Sequence, residues 1–532
     1  MTIIAVIPAR SGSRGVPNKN TRIISGKPMI SYAIENALES CFVDRTIVIS
    51  DSEEIETIAF QYGVTYKKED EMLCKGEVTL DEVVCEAVRD EEYDYVVTLQ
   101  PTSPTLRYDT LDKAIHYALE NDFDTVLSVV NHPQLGWLEK DGKLVPDYER
   151  RLNRQFLPKH FLETGAFVIS KRYVLDGGTR FGEKVSVFEV GNDEAIDIDD
   201  FNDFVSAENI LNKKNIAIVV NGNNSIGMGH IYRMLELADM FYAKPTFYYD
   251  KHKTEKNAFG KTTYELYPYN NEEELIGFIR DGHYDIVIND IQNTEREYII
   301  RLRGLADHPK IVNFEDLGSG AAESDLVINA LYDKGIMGES LFSGEDYYIV
   351  PKSFALFRPI CIKETVRRVF VCFGGADPRN YTESIIEYIQ NKDIGDIEFC
   401  IVLGRAKSNH RELLKYNSDR IHVLYDVKSI PALMSQCDVA ITSRGRTCFE
   451  LAYLGIPTLS VAQNRTELTH AFVSEENGFI SLDDCSKKED IFASVDTLIN
   501  LSYSKRVEMH EKMLAVDLSK GRARVKDLIL DL

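Results

Sequence analysis

Short runs of β-branched and aliphatic residues alternate along the chain with longer segments whose apolar positions recur at helical spacing. This alternation predicts α/β layers with largely parallel, Rossmann-like sheets. In the first part it places strands over 2–8, 45–50, 94–100, 124–130 and 165–170, and helices over 28–40, 52–62, 79–90, 109–120 and 201–211. The polar stretch Asn212-Lys213-Lys214-Asn215 reads as a linker. A fresh strand, Ile216-Ala217-Ile218-Val219-Val220, then opens a two-lobed unit. Its first lobe, 216–358, predicts strands over 216–220, 245–249, 284–289, 310–314 and 325–329. Its second, 359–532, predicts strands over 367–373, 397–403, 421–425, 438–442 and 457–461. The segment from Ser504 to Leu532 is helix-compatible and could pack back on a lobe.

Composition narrows the partners. With 61 Lys and Arg against 85 Asp and Glu, the net charge of -24 argues against nucleic acid or an anionic membrane. Nine cysteines, none in a C-x-x-C pair, predict free thiols rather than a disulfide framework or zinc site. A chain that runs from Met1-Thr2 into a strand, with no run of ~18 apolar residues, is expected to be cytoplasmic.

Against that acidic background, the entry is basic. The strand over 2–8 leads into Ala9-Arg10-Ser11-Gly12-Ser13-Arg14-Gly15, then Val16-Pro17-Asn18-Lys19-Asn20. Arg10, Arg14, Lys19, Arg22 and Lys27 all precede the first acid, Glu35. Small residues let backbone N–H groups approach a ligand and the cations neutralise phosphates, so the loop predicts a nucleoside triphosphate site. No Walker A spacing is present.

The loop resembles the signature of the CMP-sialic acid synthetase family, cytidylyltransferases that activate nonulosonic acids. Further blocks follow in the family's order. Val48-Ile49-Ser50-Asp51 resembles a strand-to-helix turn, in which Ser50 or Asp51 could simply cap the helix. Leu99-Gln100-Pro101-Thr102-Ser103-Pro104 would turn Gln100 and Ser103 toward sugar or base. Arg154-Gln155 and Glu163-Thr164-Gly165-Ala166 resemble the segment that binds the acidic sugar, with Thr164 where the family usually has Asn. In Ala195-Ile196-Asp197-Ile198-Asp199, alternation along a strand puts both aspartates on one face, suited to Mg²⁺; the bland alternative is helix N-terminal acids before Phe201. The resemblance covers residues 1–211 and implies a Rossmann-like nucleotidyltransferase domain in which a nonulosonic acid hydroxyl attacks CTP. Arg10 and Lys19 would hold phosphates with Arg14 beside them, Asn20 would seat the nucleotide, and a homodimer is implied. Glu69-Asp70 and Gly76-Glu77 depart from the family's Arg-Pro and Asp-Thr. A related 3-deoxy-sugar-acid cytidylyltransferase is the alternative.

A second small-residue loop, Val220 to Arg233, has no carboxylate between Glu208 and Glu236. Gly227 and Gly229 let the chain turn and set His230 at a helix start, where the dipole favours a neutral general base. The loop resembles the G-x-G-H segment of the PseG/SpsG family, hydrolases that remove UDP from UDP-linked diacetamido sugars. Phe373-Gly374-Gly375-Ala376-Asp377-Pro378, Thr447-Cys448-Phe449-Glu450 and Ala462-Gln463-Asn464 extend the resemblance over 215–520. It implies a GT-B-like fold that binds a UDP-linked amino sugar, with Gly375, Thr447, Glu450 and Asn464 at the ligand. Thr447 and Glu450 also satisfy a capping box. Ser443-Arg444-Gly445-Arg446 replaces the family's small turn, so that two arginines could strengthen or crowd a pyrophosphate, and Asn221 stands where an early Asp is usual. A GT-B glycosyltransferase and a non-catalytic nucleotide-sugar-binding module are the alternatives for this unit.

Overall fold

The structure is a computed structural model that describes residues 1–12, 15–69, 78–223, 228–331, 340–404, 406–425, 427–484 and 486–532. The chain divides into Met1–Lys213 and Lys214–Leu532, a boundary inside the polar linker.

In the first unit, the fully buried run Ile3–Ile7 lies in an interior strand of a seven-stranded sheet. The order is Val185–Glu189, Thr125–Asn131, Phe161–Lys171, Tyr95–Leu99, Ile3–Pro8, Arg45–Ser50 and Thr65–Lys68. Ile3–Pro8 runs parallel to both neighbours, with Val6 opposite Ile47 and Thr98. Phe161–Lys171 is antiparallel to the strands beside it and breaks register between Glu163 and Val168, around Gly165 at φ +71°. The predicted interior strands are all present. The edge strands Thr65–Lys68 and Val185–Glu189 lack a continuous apolar run, which hid them from the pattern.

Lys214–Leu532 contains two all-parallel sheets. One orders Glu265–Tyr269, Thr246–Asp250, Ile216–Val220, Ile286–Asp290, Lys310–Phe314, Leu326–Asn329 and Leu341–Ser343. The other orders Ile421–Tyr425, Glu398–Leu403, Arg368–Cys372, Val439–Ser443, Thr458–Val461 and Phe479–Leu482. Parallel strands buried on both faces explain the near-continuous Val/Ile runs. This is the two-lobed α/β architecture that the pattern predicts. The last helix, Gly521–Leu530, departs from the lobe division, because Val525 and Ile529 bury in the core of the first lobe with Ile216 and Ile218. Gly521 permits the crossing, since a Cβ there would lie 2.1 Å from Tyr348 O. The described cysteines are free thiols, and no described helix is long and apolar enough to cross a membrane.

Candidate active sites

The first site forms where the loops after Ile3–Pro8 and Tyr95–Leu99 meet the extended segment 195–199, at the carboxyl ends of parallel strands. Lys19 Nζ donates to Ile198 O at 2.5 Å and Asp199 Oδ1 at 3.2 Å. Gly15 lies against the same residue: a Cβ would fall 1.9 Å from Asp199 O. Ile198 N donates to Thr102 O at 2.8 Å, tying the segment to the 100–104 loop. A Cβ on Gly165 would sit 3.2 Å from Gln100 Nε2 and 3.3 Å from Asp197 Oδ2, so that three separate sequence blocks converge within one contact shell. Asn20 Nδ2 donates to Arg10 O at 3.0 Å, which folds the entry loop on itself.

Several polar atoms here are buried and have no hydrogen-bond partner among the described residues: Asn20 Oδ1, Thr102 Oγ1, Ser103 Oγ and Asp197 Oδ1. Burial raises the pKa of Asp197 and the Asp199 charge adds to the rise. The nearby Thr102 hydroxyl and Lys19 oppose it, although Thr102 and Asp197 Oδ1 are outside hydrogen-bonding geometry. Among the described residues, no group of three or more His, Cys, Asp or Glu side chains is placed to hold a metal ion. The Asp197 oxygen without a partner among the described residues suits a hard cation, which Asp197 and Asp199 could hold together with oxygens of a bound ligand.

Three local expectations change. Asp197 and Asp199 are extended but not part of a paired strand. Asp197 is half-buried, whereas the Asp199 side chain is 80% exposed. Neither is the helix cap: Asp200 caps Phe201–Leu211 in a capping box with Asp203. Similarly, Ser52 caps Glu53–Gln61, which frees Ser50 to donate to Ala9 O and Asp51 to accept from Ser11 N and Oγ, each at 2.7 Å. Arg154 and Gln155 form an exposed turn, and Arg10 is exposed. Glu69 is buried, and burial followed by the Asp51 charge raises its pKa against the pull of Arg10. Arg14, Asp70, Gly76 and Glu77 lie outside the described residues.

In the second unit, Gly229 and His230 begin the helix Gly229–Ala238. His230 Nδ1 lies 2.6 Å from Asp290 Oδ1 at the end of Ile286–Asp290. Arg233, one turn along the helix, donates from Nε to Asp290 Oδ2 (2.9 Å), from Nη2 to Oδ1 (2.7 Å) and from Nη1 to Glu315 Oε1 (3.1 Å). Burial alone would raise the Asp290 pKa, but Arg233 and His230 outweigh it and the net shift is downward. Burial raises Glu315, with Arg233 opposing. Asp290, Arg233 and Glu315 were not singled out from the sequence. Arg233 had a legible signal, because a residue three positions after His230 shares its helix face.

A cavity of about 790 Å³ lies between the lobes of this unit, lined in part by Gly229, Gly375, Arg446, Thr447 and Glu450. The expected capping box is not formed: Thr447 is the first residue of Thr447–Tyr453, and Arg446 occupies the cap position without a side-chain bond. Glu450 thus has no capping duty, and burial raises its pKa while Arg446 lowers it. The two arginines part company. Arg446 Nη1 donates across the cavity to Gly229 O at 2.5 Å. Arg444 instead turns into the second lobe and donates to Val473 O. Asn464 is exposed and bonds with Glu467 in a short turn. Asn221 is buried and accepts from Asp250 N. Gly227 lies outside the described residues.

Residues 4–141 match the family model described as cytidylyltransferase. The chain is 30% identical over 224 residues to an N-acylneuraminate cytidylyltransferase of Escherichia coli, covering 40% of this chain and 53% of the relative. It is 29% identical over 236 residues to the CMP-N,N'-diacetyllegionaminic acid synthase of Legionella pneumophila, covering 41% of this chain and 100% of that protein. The chain spans about half the length of several curated relatives that it matches. Among solved structures, Acinetobacter baumannii MurG aligns with 60% of this chain and 100% of its own, at 12% identity and a TM-score of 0.44. The cytidylyltransferase likeness thus lies in the first unit.

Proposed function

We propose that the first unit transfers CMP from CTP to a nonulosonic acid, and that the second hydrolyses a UDP-linked amino sugar. The observation that carries the first reading is the convergence of the Gly15–Lys19 loop, Gln100, Gly165 and Asp197 in one place. The anomeric hydroxyl of the sugar acid attacks the α-phosphorus and pyrophosphate leaves. Arg10 and Lys19 neutralise phosphate charge, while Gln100, Ser103, Arg154 and Gln155 orient the sugar acid and Asn20 the nucleotide. Asp197 and Asp199 would hold Mg²⁺, which supplies charge neutralisation on the phosphate oxygens.

In the second unit, the reading rests on the His230–Asp290 pair beside the cavity. His230 takes a proton from water as the water oxygen attacks the sugar–phosphate linkage and UDP departs with the bonding electrons. Gly375, Thr447 and Glu450 line the nucleotide pocket. The homodimer and cytoplasmic location belong to the same proposal. Pyrophosphate release across four nucleotides and a panel of sugar acids tests the first activity; the absence of turnover with CTP and every nonulosonic acid would sink it. Release of free UDP and free sugar without an added acceptor tests the second, and UDP release only with an acceptor would make the unit a glycosyltransferase.

A further inference from the structure

Asp290 has no solvent exposure, and its two oxygens accept two bonds from Arg233 and lie against one imidazole nitrogen of His230. Oδ1 is 2.6 Å from His230 Nδ1 and 2.7 Å from Arg233 Nη2, and Oδ2 is 2.9 Å from Arg233 Nε. Only a proton on Nδ1 makes this arrangement attractive. A bare Nδ1 would set its lone pair against an anionic oxygen at 2.6 Å, with a guanidinium nitrogen at 3.4 Å as its sole compensation. The arrangement therefore depends on Asp290 remaining an acceptor, and the paired guanidinium keeps it one. Arg233 is itself buried and needs a second anion, which Glu315 supplies at 3.1 Å. Glu315 is fixed in turn by the backbone amides of Ala330 and Leu331, at 3.1 and 3.3 Å.

We infer that Arg233 and Glu315 are positioning residues, which act through Asp290 to hold the His230 imidazole in its Nδ1-protonated tautomer and so leave Nε2 as the basic atom. The inference rests on the reading of His230 as a general base, but its test does not. Arg and Lys are not equivalent here, because only the planar fork spans both Asp290 oxygens while reaching Glu315.

The test uses the full chain labelled with ¹⁵N-histidine, with the His230 ring signals assigned by their loss in His230→Asn. Read in the pH range where the ring is neutral, as its own titration shows, the wild type should carry its proton on Nδ1 and leave Nε2 bare. Arg233→Met should mix the tautomers, Arg233→Lys should restore the wild-type pattern only in part, and Glu315→Gln should fall between wild type and Arg233→Met. UDP release should follow the same order, with kcat falling by about 10²–10⁴ in Arg233→Met and KM changing far less. The backbone amide spectrum of the second unit, which should keep the wild-type dispersion, serves as the folding control. If Arg233→Met fails to fold, the lysine and glutamine variants carry the test. A wild-type ring protonated on Nε2, or an unchanged single tautomer in folded Arg233 variants, overturns the proposal. Normal tautomer behaviour without UDP release from the wild type would instead defeat the hydrolase reading and leave the positioning role standing.

Discussion

The two candidate sites use their polar groups in opposite ways. In the first unit the converging side chains keep unused capacity, with buried oxygens of Asn20, Thr102, Ser103 and Asp197 that find no partner among the described residues. In the second, His230, Arg233, Asp290 and Glu315 satisfy one another. A buried polar atom left unpaired costs about 1–3 kcal/mol, which a ligand or ion can recover on binding. The first site is thus built to be completed by what it binds. The second carries polar groups already paired with one another beside an open cavity.

The largest expected break in this comparison comes from paired glycine substitutions. Gly15→Ala would drive a Cβ to 1.9 Å from Asp199 O, against backbone that cannot give way. It should abolish pyrophosphate release. Among the described residues, a Cβ on Gly229 meets Arg446 Cδ at 3.4 Å and Nη1 at 3.6 Å, ordinary contacts with a flexible side chain, so Gly229→Ala should leave UDP release within about threefold of wild type. Steady-state assays of both activities on both variants check the pair; equal losses would show that the two loops are equally tight.

Asp197→Asn should lower cytidylyl transfer by about 10²–10³ and leave UDP release unchanged. Full retention of transfer would remove the carboxylate from the reaction.

The same contrast has a pH signature of opposite sign. Asp290 has a lowered folded-state pKa, so the stability that it contributes is present above its unfolded value near ~3.9 and is lost as pH falls through the lower folded value. Asp197 has a raised folded-state pKa, so folding is favoured while it is protonated. That contribution declines as pH rises from ~3.9 through the raised value. Calorimetric scans of the wild type and both variants from about pH 2 to 6 should show Asp290→Asn removing an acid-side loss and Asp197→Asn removing an opposite slope. Identical profiles for the two variants would contradict the assignment.

The smallest effect is expected at Asn464, whose side chain closes an exposed turn with Glu467. Asn464→Ala should cost about 0.5–1 kcal/mol of stability and move the KM for the UDP-sugar less than twofold. A tenfold rise in KM would place that side chain at the ligand.

The central strands were legible because fully buried parallel strands must be apolar throughout, as in Ile216–Val220. Edge strands such as Glu265–Tyr269, which contains Pro268 and exposed positions, carry no such signal. The converging blocks of the first site were legible as motifs, yet sequence alone could not show that Asp200 and Ser52, rather than their neighbours, take the capping roles. Nor could it find the partner of His230. Asp290 and Glu315 sit 60 and 85 positions away and reach the helix only because their strands lie side by side in the sheet.

The helix Gly521–Leu530 carries a consequence for how the second unit is made. Val525 and Ile529 pack in one core with Ile216, Ile218 and Val220, and Arg522 grips Glu236 on the helix Gly229–Ala238 that carries His230. The earlier lobe therefore emerges from the ribosome with a gap in its interior, which closes only after the later lobe has been synthesised. Until then the helix that carries His230 lacks its brace, so the site around it should be completed late, and at once for both lobes.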